Sequence, residues 1–171
     1  MGCDIHSRVQ VLQLGEWKTV NYPLFPNYGV DLFKEEVSRW ERPSAEPFGW
    51  RAYGLFGFLA NVRNYSHVPP FSEPRGLPSD IDGIDPDDPP FGEHSFSWLS
   101  LSELLAFNYD QTFEDRRCTR DGSGAADAGE GNGEITTFRK FLGRDFFRDL
   151  AIMQSLTDDP TTVRIVFGFD S

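Results

Sequence analysis

Along the first fourteen residues apolar and polar side chains alternate. Ile5, Val9 and Val11 fall on one parity, with Asp4, His6, Arg8 and Gln10 on the other. That two-residue period predicts a half-buried strand over 4–14. Gly15 and Glu16 then turn the chain into Trp17–Val20, which predicts a hairpin. The stretch "NYPLFPNYG" that follows is rich in proline and asparagine and reads as loop. Beyond it the period changes. Phe33, Val37 and Trp40 recur at helical spacing, with Asp31 placed to cap a short helix and Pro43 to end it. "RAYGLFGFLANVRN" repeats the spacing through Leu55, Leu59 and Val62, although Gly54 and Gly57 each subtract about 1 kcal/mol of helix propensity.

From Ser66 to Glu93 no period survives, and proline, aspartate and glycine dominate. Structureless loops longer than roughly 15 residues are commonly lids or binding loops, so 66–93 is expected to be a functional loop. "SFSWLSLSELLAF" reads as a brief extended segment feeding a short helix, with Ser100 and Glu103 spaced as a capping box. "DGSGAADAGEGNG" has the composition of a flexible insertion, assigned to 121–134. The longest helix is expected from about Thr137 to Leu156, turning Phe138, Phe141, Leu142, Phe146, Leu150 and Met153 inward. "TTVRIVFGFDS" ends the chain as a strand with Val163, Ile165, Phe167 and Phe169 on one face. Few strands and several helices that do not alternate strictly predict an α+β fold. The expectation is a small antiparallel sheet packed against a few helices, with long loops, in a single domain over 1–171.

Composition narrows the class of protein. The 171 residues include 16 Phe, and aromatics make up 15%, a load that needs a packed interior and argues against disorder. No apolar run approaches the roughly 18 residues of a membrane span. The polar opening has no signal-peptide core, which predicts a cytoplasmic protein with reduced thiols at Cys3 and Cys118. His6 stands where a myristoylation signal needs Ser or Thr. The net charge of -11 is local. Residues 72–93 carry seven acids against Arg75, and residues 110–134 carry seven against Arg116, Arg117 and Arg120. Acidity concentrated in two loops, with no basic stripe to meet phosphates, speaks against binding duplex nucleic acid.

Three groupings carry candidate chemistry. Strand geometry projects Asp4 and His6 from one face and Cys3 from the other, so a Cys3–His6 zinc pair is disfavoured. Asp4 and His6 could converge on one ligand or metal, or simply form the polar face of a first strand. In "EPRGLPSD" two prolines stiffen a loop that presents Arg75, a bidentate partner for carboxylate or phosphate; alternatively Arg75 pins its own loop to a carboxylate in the acidic run. In "GEHSFSW" His94 and Trp98 precede a capped helix and suit a base or nucleoside by hydrogen bonding and stacking, while Trp98 would serve equally as a core residue. No nucleophile elbow, P-loop, metalloprotease or EF-hand spacing occurs.

Taken in order, "MGCDIH", "RAYGLFGFLANVRN", "EPRGLP", "HSFSWLSLSEL" and "VRIVFGFDS" resemble a family of small proteins from tailed bacteriophages and prophages. The resemblance spans both ends and the middle, about half the chain. Several members read Arg-Asn-Tyr where this chain has Arg51-Ala52-Tyr53, and the stretch at 121–133 is private to it. The family has no settled activity. What the resemblance adds is a set of polar positions: Asp4, His6, Arg51, Tyr53, Arg63, Asn64, Arg75, Asp80, His94 and Trp98. Arginines, histidines and aromatics together suit a phosphorylated, base-containing small molecule. A phage setting implies a host nucleotide signal used in immunity, sequestered as a counter-defence.

The leading expectation is therefore a non-enzymatic pocket for an anionic, nucleotide-like molecule, with no cofactor. Arg75 and His94 would anchor it, Arg51 or Arg63 would neutralise charge, and Trp98 or Tyr53 would stack. The enzyme alternative is a phosphoesterase-like hydrolase whose divalent metal is held by Asp4, His6, Asp80 and His94. A third class is an acidic inhibitor of a host protein acting through Asp85, Asp87 and Asp88. A homo-oligomer is compatible with all three.

Overall fold

In the computed structural model of the protein, residues 2–28, 38–83 and 90–171 are described. Asp31, Phe33 and Val37 of the expected first helix, and Asp85, Asp87 and Asp88 of the acidic run, lie outside them. The chain forms an α+β fold organised as two compact units, one of Met1–Arg51, Arg75–Ala106 and Asp145–Ser171, the other of Ala52–Pro74 and Phe107–Arg144.

The first unit is built on a four-stranded antiparallel sheet. Its strands are β1 (Ile5–Gln13), β2 (Glu16–Thr19), β3 (His94–Ser100) and β6 (Val163–Phe169), in the order β2-β1-β6-β3. The first hairpin forms as the sequence predicts. Leu14 and Gly15 both take positive φ, 51° and 81°, the backbone that a two-residue turn needs to match strand twist. β1 then pairs along its length with β6, placing Ile5 opposite Phe169 and Val9 opposite Ile165. Alternation in β6 suggested one buried face. All seven of its residues are buried, because the strand is an inner one and both its faces are covered. Its inward ring Phe167 lies edge-on to Phe169. Phe48 stacks on Phe146 at 5.0 Å, and Leu150 and Met153 join the same buried set.

Helix α2 (Leu101–Ala106) begins directly after β3 with the capping box read from the sequence. Ser100 Oγ accepts from the Glu103 N–H at 3.1 Å, and Glu103 Oε2 accepts from the Ser100 N–H at 3.0 Å.

The second unit packs aromatic rings around helix α1 (Tyr53–Ala60). Phe58 meets Phe71, Phe107 and Phe138 with ring centroids 5.3–5.8 Å apart. The expected single stripe on this helix is replaced by burial all round, from Gly54 to Ala60. Gly57 permits a close approach: a Cβ there would stand 2.6 Å from Asn64 Oδ1. Two strands escaped the alternation pattern, β4 (Thr112–Thr119) and β5 (Gly133–Thr137), which pair antiparallel. Only Phe113 and Asp115 of β4 are buried, so its period is too weak to see. Residues 120–132 connect them, and Gly133 and Glu134, expected in the flexible insertion, belong to β5.

Where a single long helix was expected, α3 (Phe138–Gln154) is two helical segments that meet at a kink at Gly143, whose φ of 76° and ψ of 173° are non-helical. Phe138, Leu142, Phe146, Leu150 and Met153 are buried as expected, and Phe141 half so. Trp40, expected on a helical stripe, is 52% exposed in a turn. Among the described residues no helix is long and apolar enough to cross a membrane.

Candidate functional site

The two faces of the sheet differ in chemistry. Ile5, Ser7 and Val9 are buried on one side of β1, while Asp4, His6 and Arg8 are half-buried on the other, as alternation requires. Register extends the polar face across β6 and β3. His6 lies opposite Gly168, Gln10 opposite Arg164, and Trp98 opposite Val166. Clefts open at both ends of this face.

The first cleft, of about 510 Å³, is bounded by Asp4, His6, Tyr28, Arg39, Trp50 and Arg51 among others. Asp4 accepts from Arg51 Nε at 2.7 Å and from Nη2 as well, a bidentate pair. That contact with Arg51 holds the Asp4 carboxyl below its ordinary value, against a smaller opposing effect of burial. His6 Nε2 lies 2.9 Å from Asp170 Oδ2, and the other oxygen of Asp170 accepts from the Asp4 N–H at 2.8 Å. His6 is the main cause that lowers the Asp170 carboxyl as well. Two ionised carboxylates thus orient one guanidinium and one imidazole at the cleft rim.

The opposite wall is aromatic. Tyr28 and Trp50 are 5.0 Å apart, tilted by 45°. The Arg39 guanidinium lies 4.5 Å from the Tyr28 ring centroid, and its buried Nε has no hydrogen-bond partner among the described residues. A buried donor left unpaired costs about 1–3 kcal/mol. Glu46, at the edge, pairs with Arg8. The set offers donors for an anion, acceptors for hydroxyl or amine groups, and an aromatic wall.

The remaining candidates are dispersed. His94 is not brought to Asp4 and His6. A bulge between His94 and Ser97, with Ser95 at φ 54°, sets His94 opposite Phe169. Its ring stacks on that phenyl group at 6.2 Å, on the side of the sheet that Ile5 faces. Arg75 makes a bidentate pair with Glu103, at 2.8 and 3.1 Å, and lies 5.1 Å from the Trp98 ring centroid. It pins its own loop to α2, not to the acidic run. Asp80 pairs with Arg164 at 2.8 Å, at the far cleft. The proposed metal set Asp4, His6, Asp80 and His94 is therefore not assembled. Among the described residues no three His, Cys, Asp or Glu side chains group to hold a metal ion.

Tyr53, Arg63 and Asn64 belong to the second unit. Tyr53 contacts the Phe56 and Tyr65 rings, and Arg63 reaches the Tyr65 hydroxyl at 3.3 Å. Asn64 Nδ2 donates to Asn61 Oδ1 and the Val68 carbonyl, while its Oδ1 accepts from the Val68 N–H and Ser66 Oγ. Those four bonds use the capacity of the amide and brace the turn after α1.

Sequence reading missed Tyr28, Arg39, Trp50 and Asp170. Asp170 was within reach, since antiparallel pairing of the first and last strands sets it beside Asp4. The other three lie in irregular segments, where no period marks which way a side chain faces. In comparisons with family models, curated proteins and solved structures, no match to this chain was found.

Proposed function

We propose that this protein binds an anionic, nucleotide-like small molecule in the cleft between Arg39, Arg51 and the Tyr28–Trp50 wall. The observation that carries the reading is the buried Nε of Arg39, unpartnered among the described residues, on a guanidinium that lies over the Tyr28 ring of the cleft. A phosphate or carboxylate there would satisfy the orphan donor, with Arg51 and His6 at the rim to share its charge. A planar base suits Tyr28 and Trp50, and Asp4 and Glu46 can accept from ribose hydroxyls or an exocyclic amine. The volume falls within the roughly 300–1,000 Å³ usual for small-molecule sites. The resemblance to phage proteins makes host nucleotide signals the first ligands to try, with sequestration as the role.

The test is a thermal-shift and calorimetric screen against mono-, di- and cyclic nucleotides, with wild type and Arg39→Gln. A ligand at about 100 times its dissociation constant should add about 2.7 kcal/mol to wild-type stability. Arg39→Gln should lose at least about tenfold in affinity, equivalent to about 1.4 kcal/mol, while melting as wild type does without ligand. A panel with no hits, or equal affinity in both proteins, overturns the reading.

A further inference from the structure

At the other end of the polar sheet face Arg164 is 3% exposed, although arginine is almost never fully buried without partners. Its guanidinium lies between two indoles, 4.1 Å from the Trp17 ring centroid and 5.8 Å from that of Trp98. Nε donates to Gln10 Oε1 at 2.8 Å. The outer edge is less well served. Nη1 donates to Asp80 Oδ1 at 2.8 Å, but among the described residues Nη2 finds only the main-chain oxygen of Asp80, at 3.5 Å. The carboxylate meets one branch of the guanidinium fork instead of both, and the Asp80 side chain is 61% exposed. Burial pulls the Arg164 guanidinium below the ordinary arginine value, and Asp80 only partly restores it. Above this edge is a cleft of about 540 Å³ bounded by Trp17, Leu77, Pro78, Asp80, Trp98 and Arg164.

We propose that this cleft is a second binding site, for a carboxylate carried on an aromatic or apolar body, in which Asp80 holds the place of the ligand's carboxylate. Arginine's planar fork takes a carboxylate through two parallel hydrogen bonds, and Asp80 leaves that geometry unfilled. The indoles, Leu77 and Pro78 offer an apolar enclosure for the rest of the ligand. The site is independent of the first cleft, with which it shares no bounding residue. Asp80, placed by the sequence among ligand contacts, acts here as the ligand's competitor.

The discriminating experiment follows the indole N–H resonances of Trp17 and Trp98 while wild type, Asp80→Ala and Arg164→Lys are titrated with phenylacetate. Phenylacetamide is the neutral control, and a short peptide ending in phenylalanine, free or amidated at its C-terminus, separates a small acid from a chain end. Phenylacetate or the free peptide should shift both indoles, and the amides should not. Asp80→Ala should bind at least about fivefold tighter, and its ligand-free Tm should fall and recover as the carboxylate is added, because the buried Arg164 guanidinium has lost its counter-charge. Arg164→Lys should bind at least tenfold more weakly. Weaker or unchanged binding in Asp80→Ala, equal response to the amides, or no response from any carboxylate overturns the proposal. The first and last of these are read on folded protein whatever becomes of Arg164→Lys.

Discussion

Glu103 accepts the guanidinium of Arg75 and also closes the capping box of α2, and these bonds hold its carboxyl down to about 2. Arg75 is the largest cause. A folded-state value below the ordinary 4.5 means that ionised Glu103 stabilises the fold above about pH 4.5, and that this contribution fades as pH falls toward about 2. With the side chain 39% exposed, the ion pair is worth no more than about 1 kcal/mol. The melting difference between wild type and Glu103→Gln should therefore be present at about pH 6 and shrink below about pH 4; a difference that stays constant across the range would refute it. Residues of this kind were legible. Ser100 and Glu103 stand at fixed spacing, and the parity of Asp4 and His6 on β1 follows from strand geometry alone. Arg39 and Tyr28 were not, because only the folded path of irregular chain brings them together.

Helix α1 reverses a familiar rule. Alanine normally replaces an interior helical glycine with a gain of about 1 kcal/mol. At Gly57 a Cβ would meet Asn64 Oδ1 at 2.6 Å, and Asn64 is fixed by four hydrogen bonds. Gly57→Ala should thus destabilise by about 1–3 kcal/mol, the usual range for overpacking, as read by chemical denaturation; a more stable variant would show that the turn yields. Strand β6 makes the complementary point. Phe167→Ala should cost about 3–5 kcal/mol, since the ring is fully buried in an inner strand. An effect under about 1 kcal/mol would mean that the site collapses around the loss. Alternation revealed β6 as a strand but not as an inner one, buried on both faces. Which strand lies inside a sheet depends on pairings between distant segments, and β1 and β6 lie at opposite ends of the chain.

For the molecule as a whole, a net charge of -11 is a repulsion that folding must overcome. Raising ionic strength from about 0.01 M to about 0.15 M, which shortens the Debye length from about 30 to about 8 Å, should raise the Tm. A flat or falling Tm would mean that paired surface charges outweigh the repulsion. The α+β class was legible at this scale, because a few strands and helices were each marked by period. The two compact units were not, since each is assembled from separate stretches of chain. Gly143 stands at one of the passages between those stretches. The chain enters α3 within one unit and leaves it within the other, and the positive φ at Gly143 interrupts the helical backbone one residue before that boundary. Amide protons on either side of Gly143 should therefore exchange with solvent at rates set by different opening events. Protection measured along α3 would report two local stabilities.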